Sequence, residues 1–296
     1  MSAQARSPLQ LPRDLLELTK PRLSSLVIIT GAGGWLFAPV RADTLTGLYA
    51  VLGTTITVGA ANSLNNYLER EGDKRMQRTQ SRPLPMGRLS PRTALLFGLL
   101  LSLISIPMLT LLANPLAGLL AGIALVVYVM IYTPMKRESS AHTLMGAIPG
   151  AMPPLIGWVA ATNEIGPGGV LLFAILFFWQ IPHSLAIAIY RKAEYESAGI
   201  IVLPINKGED YTRSQMLVYT MMIVPLPMLL ALTGTTGLVT AIGGTLLGGW
   251  WLWMAFDGFR RKLGAKWARK FFLASLIYLS ALFGIMGVDL IIGELL

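Results

Sequence analysis

Asn65, Glu69 and Asp73 stand four residues apart along the chain. At 100° per residue each step drifts only about 40°, so a helix running on through Asp73 carries all three on one face. Oxygen ligands of this kind suit a hard cation, and magnesium characteristically takes one or two carboxylates together with phosphate oxygens and water. Lys74, Arg75, Arg78 and Arg82 follow at once and are placed to neutralise phosphate oxygens. The competing reading is an ordinary solvated helix end whose charges pair locally. Asn62, Asn65 and Asn66 weigh against it. Three asparagines in the last turns of an apolar helix are expensive unless they face a polar cavity.

A second constellation lies further on. His183, Tyr190 and Glu194 fall within an arc of about 40° on a helical wheel, with Arg191 further round. His183 sits inside an apolar stretch behind Pro182 and beside Gln180, and an ionisable residue there is a functional candidate by default. The bland alternative is a core imidazole satisfied by a neighbouring helix. Tyr132, Lys136 and Arg137 end another apolar stretch, and Arg137 by itself reads as a charge anchor. His142, in a loop, is assigned no role. Cysteine is absent, which excludes disulfides, thiolate nucleophiles and cysteine-held metals.

The elements that must position these residues are membrane helices. Of 296 residues, 54% are hydrophobic and 13% charged, and the mean hydropathy of +0.60 is too high for a water-soluble globule. A crossing takes about 20 apolar residues. Nine stretches qualify, near Leu23–Val40, Thr46–Leu68, Thr93–Leu112, Pro115–Thr133, Thr143–Ala161, Gly168–Tyr190, Met216–Leu232, Gly237–Phe256 and Phe271–Ile292. Lysine and arginine number four before the first, seven after the second, two after the fourth, four after the sixth and six after the eighth. Only Arg41 falls on the other side. The positive-inside rule therefore predicts a cytoplasmic amino terminus and a carboxy terminus on the far side. It also accounts for the net charge of +9 without nucleic acid. No secretory signal is evident, Leu11–Lys20 reads as a short interfacial helix ended by Pro21, and no linker divides the remainder. The expected organisation is a cytoplasmic segment, 1–20, and a single transmembrane domain, 21–296.

The run Asn65-Asn66-Tyr67-Leu68-Glu69-Arg70-Glu71-Gly72-Asp73, leading to Arg82-Pro83-Leu84-Pro85, resembles the first acidic motif of the UbiA-type intramembrane prenyltransferases. Leu18-Thr19-Lys20-Pro21-Arg22, Tyr132-Thr133-Pro134-Met135-Lys136-Arg137, Gly150-Ala151-Met152-Pro153-Pro154 and Trp179-Gln180-Ile181-Pro182-His183-Ser184 resemble the branch of that family that farnesylates protohaem. The likeness runs from about Leu18 to Gly208. Two positions depart from the pattern: Glu69 replaces an aspartate, and Glu194-Tyr195 replaces aspartate-tyrosine.

The resemblance implies an all-α, polytopic bundle of nine transmembrane helices. It implies farnesyl diphosphate and protohaem IX as substrates, Mg2+ as cofactor, the lipid bilayer as surroundings and haem A synthase as a candidate partner. The short amino terminus, with little room for a transit peptide, makes the cell inner membrane of a bacterium the simplest location. By the same resemblance Glu69, Asp73 and Glu194 are metal ligands, with Asn65 supporting. Lys74, Arg78, Arg82, Lys136 and Arg191 bind diphosphate, Tyr132 and Tyr190 contact substrate, and His183 contacts haem or positions water. A family member acting on an aromatic quinone precursor, or a multi-span transporter, is the alternative.

Overall fold

The computed structural model describes residues 10–40 and 42–295, and among them every regular element is helical. Arg41, expected on the far side, lies outside the described residues, as do residues 1–9 and the side chain of Arg22. The short helix α1 spans Gln10–Leu18 and α2 spans Pro21–Leu36. The helices α3 (Thr44–Asp73), α4 (Pro91–Leu112) and α5 (Pro115–Val126) follow. A π-helical turn, Val127–Tyr132, then carries α5 without a break into α6, Thr133–Met135. Beyond it come α7 (His142–Thr162), α8 (Pro167–Tyr190), and the short α9 (Lys192–Ser197) and α10 (Leu203–Asn206). The chain ends with α11 (Glu209–Ile223), α12 (Leu226–Leu232), α13 (Leu238–Arg260) and α14 (Ala265–Leu295).

Among the described residues eight helices are long and apolar enough to cross a membrane, α5 with α6 and α11 with α12 each counting once. The difference from nine lies at the first expected stretch. There α2 has 16 residues, a rise of about 24 Å against a hydrocarbon core of roughly 30 Å. Pro39 explains the early stop, since its ring has no N–H to give and disfavours helix in the residue before it. The seventh stretch also differs, starting at Glu209 rather than Met216. Gly208, at φ 83°, turns the chain into it, and Arg213 ties the first turn by pairing with Asp210 and Glu209.

Helix starts follow their sequences closely. Proline opens α2, α4, α5 and α8, where a missing N–H leaves nothing unsatisfied. Asp43, Ser90 and Asn114 cap α3, α4 and α5 by accepting from Thr46, Thr93 and Ala117 N–H at 3.0, 3.0 and 2.8 Å. Outward-facing leucines such as Leu103, Leu111 and Leu232 are 73%, 79% and 75% exposed, the arrangement a lipid solvent favours. Inside, α2 and α7 approach until backbone touches backbone. A Cβ on Gly34 would strike the Pro154 carbonyl, and one on Gly157 would strike that of Gly31. In a membrane such close packing of small residues takes the place of hydrophobic burial.

One buried carboxylate is explained by helix geometry. Asp289 of α14 accepts from the backbone N–H groups of Gly237, Val239 and Thr240 at 3.0, 3.3 and 2.6 Å. It thereby caps α13, whose own N-cap residue is a glycine without a side chain. Asp289→Ala is expected to lower unfolding stability by about 1–2 kcal/mol, with Asp289→Asn losing less; denaturant titration in detergent measures both.

Candidate functional site

The unbroken run of α3 to Asp73 puts Asn65, Glu69 and Asp73 on one face, and all three line a cavity of about 700 Å3. Each is held by a cation or hydroxyl from elsewhere in the chain. Lys136 Nζ pairs with Glu69 Oε1 at 2.6 Å, and Arg82 Nη1 pairs with Asp73 Oδ2 at 2.7 Å. Lys20 Nζ donates to Asn65 Oδ1 at 3.1 Å, while Asn65 Nδ2 donates to Thr133 Oγ1 at 3.1 Å. The Thr133 hydroxyl in turn donates to the Tyr128 carbonyl at 2.8 Å. That carbonyl belongs to the π-helical turn, a distortion that recurs at functional sites. Lys136 also lies over the Tyr132 ring, 4.5 Å from its centroid, and Gly146 lets that ring approach α7.

Of the three asparagines expected to face a polar cavity, only Asn65 does so. Asn62 donates to the Thr19 carbonyl at 3.0 Å, and Asn66 to the Leu18 carbonyl at 3.1 Å. Those carbonyls are freed because the chain breaks between α1 and α2, where Lys20 takes a left-handed conformation at φ 53°. The asparagines therefore fix the break that aims Lys20 at Asn65. Lys20 is a cavity residue that periodicity could not find, since its partner Asn65 lies 45 positions away. Its place in the segment Leu18-Thr19-Lys20-Pro21-Arg22 is the signal the sequence offers.

The cavity wall carries Lys20, Arg78, Arg82, Lys136 and Arg137 against Glu69, Asp73 and Glu138. Cations outnumber carboxylates, so the cavity favours a multiply charged anion. Burial, with Arg82 and Lys136 nearby, pulls the Lys20 pKa down from 10.5 to about 7.

The second constellation is not brought to this cavity. The wheel from His183 to Glu194 assumes a continuous helix, but α8 ends at Tyr190 and Arg191 turns the chain at φ −113°. His183 Nδ1 lies 2.7 Å from Ser275 Oγ of α14, and its ring stacks on Trp179 at 4.6 Å. Tyr190 packs on Phe272, and Arg191 pairs with Glu194 at 2.6 Å. None of His183, Tyr190, Arg191 or Glu194 lines the cavity, and Lys74 turns outward to pair with Glu71. Instead the connector holding α9 contributes Tyr195, Ala198 and Ile200 to the wall. Ile201 N–H donates to the Lys136 carbonyl at 2.9 Å and Asn206 donates to Ser140 at 2.9 Å, so this connector is tied down over the cavity. His142, assigned no role from sequence, also lines it.

Among the described residues no three histidines, aspartates or glutamates gather as a metal site. Glu69 and Asp73, one helical turn apart, supply two carboxylates. Magnesium is characteristically held by one or two carboxylates together with substrate phosphate oxygens and water. The donor set thus fits a metal that arrives with a phosphorylated ligand.

These features agree with three comparisons. The profile described as UbiA prenyltransferase family matches residues 26–277. Protoheme IX farnesyltransferase of Myxococcus xanthus is 47% identical over 292 residues, covering 98% of each chain, and that of Anaeromyxobacter sp. is 48% identical, covering 95% of each. Among solved structures, a digeranylgeranylglyceryl phosphate synthase superposes with a TM-score of 0.79 at 19% identity, covering 95% of this chain and 99% of that one. A UbiA homologue from Archaeoglobus fulgidus bound to DMAPP and Mg2+ superposes with a TM-score of 0.66 at 15% identity, covering 93% and 99%. At those identities the structures show the shared fold.

The lowered pKa of Lys20 has a measurable sign. Below about pH 7 the ammonium is present to meet an anion; above it, binding must first restore the proton. Affinity for inorganic diphosphate is expected to weaken as pH rises from 7 to 9, by up to about tenfold per unit. Calorimetry on Lys20→Arg, whose charge does not titrate in this range, should show a markedly flatter profile.

Proposed function

The chain belongs to the UbiA prenyltransferase family, and on that premise we propose that it transfers the farnesyl group of farnesyl diphosphate to a vinyl side chain of protohaem IX, making haem O. The observation that carries this is a cation-rich cavity holding two carboxylates one turn apart at the end of a membrane helix. The near-full-length likeness to protoheme IX farnesyltransferases selects the acceptor.

In this reading Glu69 and Asp73, supported by Asn65, hold Mg2+ when the diphosphate enters. The bound ion supplies Lewis-acid neutralisation of the leaving group. Arg78, Arg82, Lys136 and Lys20 take the phosphate oxygens, replacing solvent with preorganised charge. Each of Lys136 and Arg82 already sits against a carboxylate, so the cations are in place before substrate arrives. Tyr132 and the connector residues Tyr195 and Ile200 wall off water, which would otherwise quench the allylic cation formed as the C–O bond breaks. The vinyl group then attacks that cation, and water completes the hydroxyethylfarnesyl side chain.

We assign the catalytic unit to the single bundle 21–296, with Lys20 joining it from the preceding segment. The mouth of the cavity faces the cytoplasm by the distribution of basic loops, in a bacterial inner membrane. Haem A synthase is the natural receiver of the product. Tyr190, Arg191, Glu194 and His183 act by holding α8 and the connector against α14, one step removed from substrate.

Membranes supplied with farnesyl diphosphate, haem and magnesium, followed by pigment analysis, test this. Haem O is expected from the natural sequence, and Asp73→Ala is expected to reduce it about 100-fold or more while the protein stays inserted. Turnover of an aromatic acid with no haem O would overturn the assignment. His183→Ala separates the two groups of residues. It should lower thermal stability through its lost bond to Ser275 and leave farnesyl diphosphate binding within about twofold.

A further inference from the structure

His142 stands at the first turn of α7 and lines the same cavity, 93% buried at a relative exposure of 7%. Neither ring nitrogen has a side-chain partner or a hydrogen bond of ordinary length. The Ile201 main chain is the one polar group beside the ring, able to accept the N–H of one nitrogen and leave the other with a free lone pair. Among the described residues no other residue lining the cavity has a buried side-chain nitrogen or oxygen without a partner. Leaving a buried imidazole unbonded is costly, and such a group on the wall of a cavity is an argument for a bound species that completes it. Its nearest aromatic neighbour, Tyr132, holds the ring at a centroid separation of 6.0 Å without offering it a hydrogen bond.

The other titratable groups of the wall are poorer candidates. Glu69 and Asp73 are each paired with a cation, Lys136 and the arginines are charged and have no lone pair to offer, and Lys20 is tied to Asn65. Tyr128, Tyr132 and Tyr195 are phenols, far weaker bases than an imidazole. Glu138 is exposed at the rim. Among the described residues of the wall, His142 is therefore the buried base whose nitrogens are not already hydrogen-bonded within the protein.

We propose that His142 is the base that takes the proton from the water completing the product, an assignment that rests on the reaction proposed above. The terminal vinyl carbon bonds to the farnesyl C1 as the diphosphate leaves, and the positive charge moves to the vinyl carbon attached to the porphyrin. Water bonds to that carbon through oxygen. One of its O–H bonds breaks, and the proton passes to the free nitrogen of His142 and then to the departing diphosphate or solvent. No oxidant or reductant is needed. Without the base, the cation loses a proton from carbon instead and yields an alkene lighter by one water.

The test compares the natural protein with His142→Ala and His142→Gln, each supplied with farnesyl diphosphate, haem and magnesium. Binding of farnesyl diphosphate within about twofold of the natural protein establishes that a variant is folded. Mass spectrometry then reads the ratio of hydrated adduct to alkene adduct. That ratio is expected to fall about 100-fold or more in both variants, the range for loss of a general base, and to recover in His142→Ala when free imidazole is added. A natural ratio in both variants, with binding intact, overturns the assignment of His142 alone. A natural protein that makes neither adduct overturns the proposed function together with it.

Discussion

Two carboxylates at the end of a membrane helix can keep their charge only if cations are delivered to them, and most of the site is the means of that delivery. Glu69 and Asp73 sit half-buried and buried on α3. Lys136 comes from the end of the α5–α6 run, Arg82 from the loop after α3, and Lys20 from the break between α1 and α2. An unpaired ion there would be far more expensive than any single contact in the bundle, so these three segments are bound to the same spot. A cavity in which cations already outnumber carboxylates is then ready for a polyanion without further rearrangement.

Holding the cations requires local departures from regular helix, and each has a polar side chain to stabilise it. The gap between α1 and α2 frees the Leu18 and Thr19 carbonyls, which Asn66 and Asn62 satisfy. The π-helical turn Val127–Tyr132 supplies a carbonyl for Thr133, whose hydroxyl also receives Asn65. The connector through α9 and α10 is joined to Lys136 and Ser140 and adds Tyr195 and Ile200 to the wall. The regular parts of the bundle set distance and the irregular parts set direction.

Away from the cavity the buried polar groups are treated differently. Asp289 caps α13 from α14, and His183, Trp179 and Ser275 lock α8 onto α14 through bonds of 2.7 and 2.8 Å. These polar residues in the membrane have their partners within the protein. His142 differs in both respects: it lines the cavity, and neither of its nitrogens has a side-chain partner, the two observations behind its proposed role as a base.

The sequence by itself determined whatever depends on composition or on spacing within one helix. Span positions, the acidic face of Asn65, Glu69 and Asp73, the helix-opening prolines and the density of basic residues near Arg82 are all of this kind, because a helix maps four residues onto one turn. Eight of the nine expected spans have helices of crossing length among the described residues, and the shortfall traces to Pro39, which composition counts as part of an apolar stretch but which a helix cannot run through freely. Tertiary structure alone decided which polar residues meet. His183 and Glu194 share a face only while the helix between them is continuous, and the turn at Arg191 ends that. Lys20 and His142 reach the cavity through contacts spanning dozens of residues, which no period records. Local geometry is written in the order of residues; proximity across the bundle comes from how the helices pack.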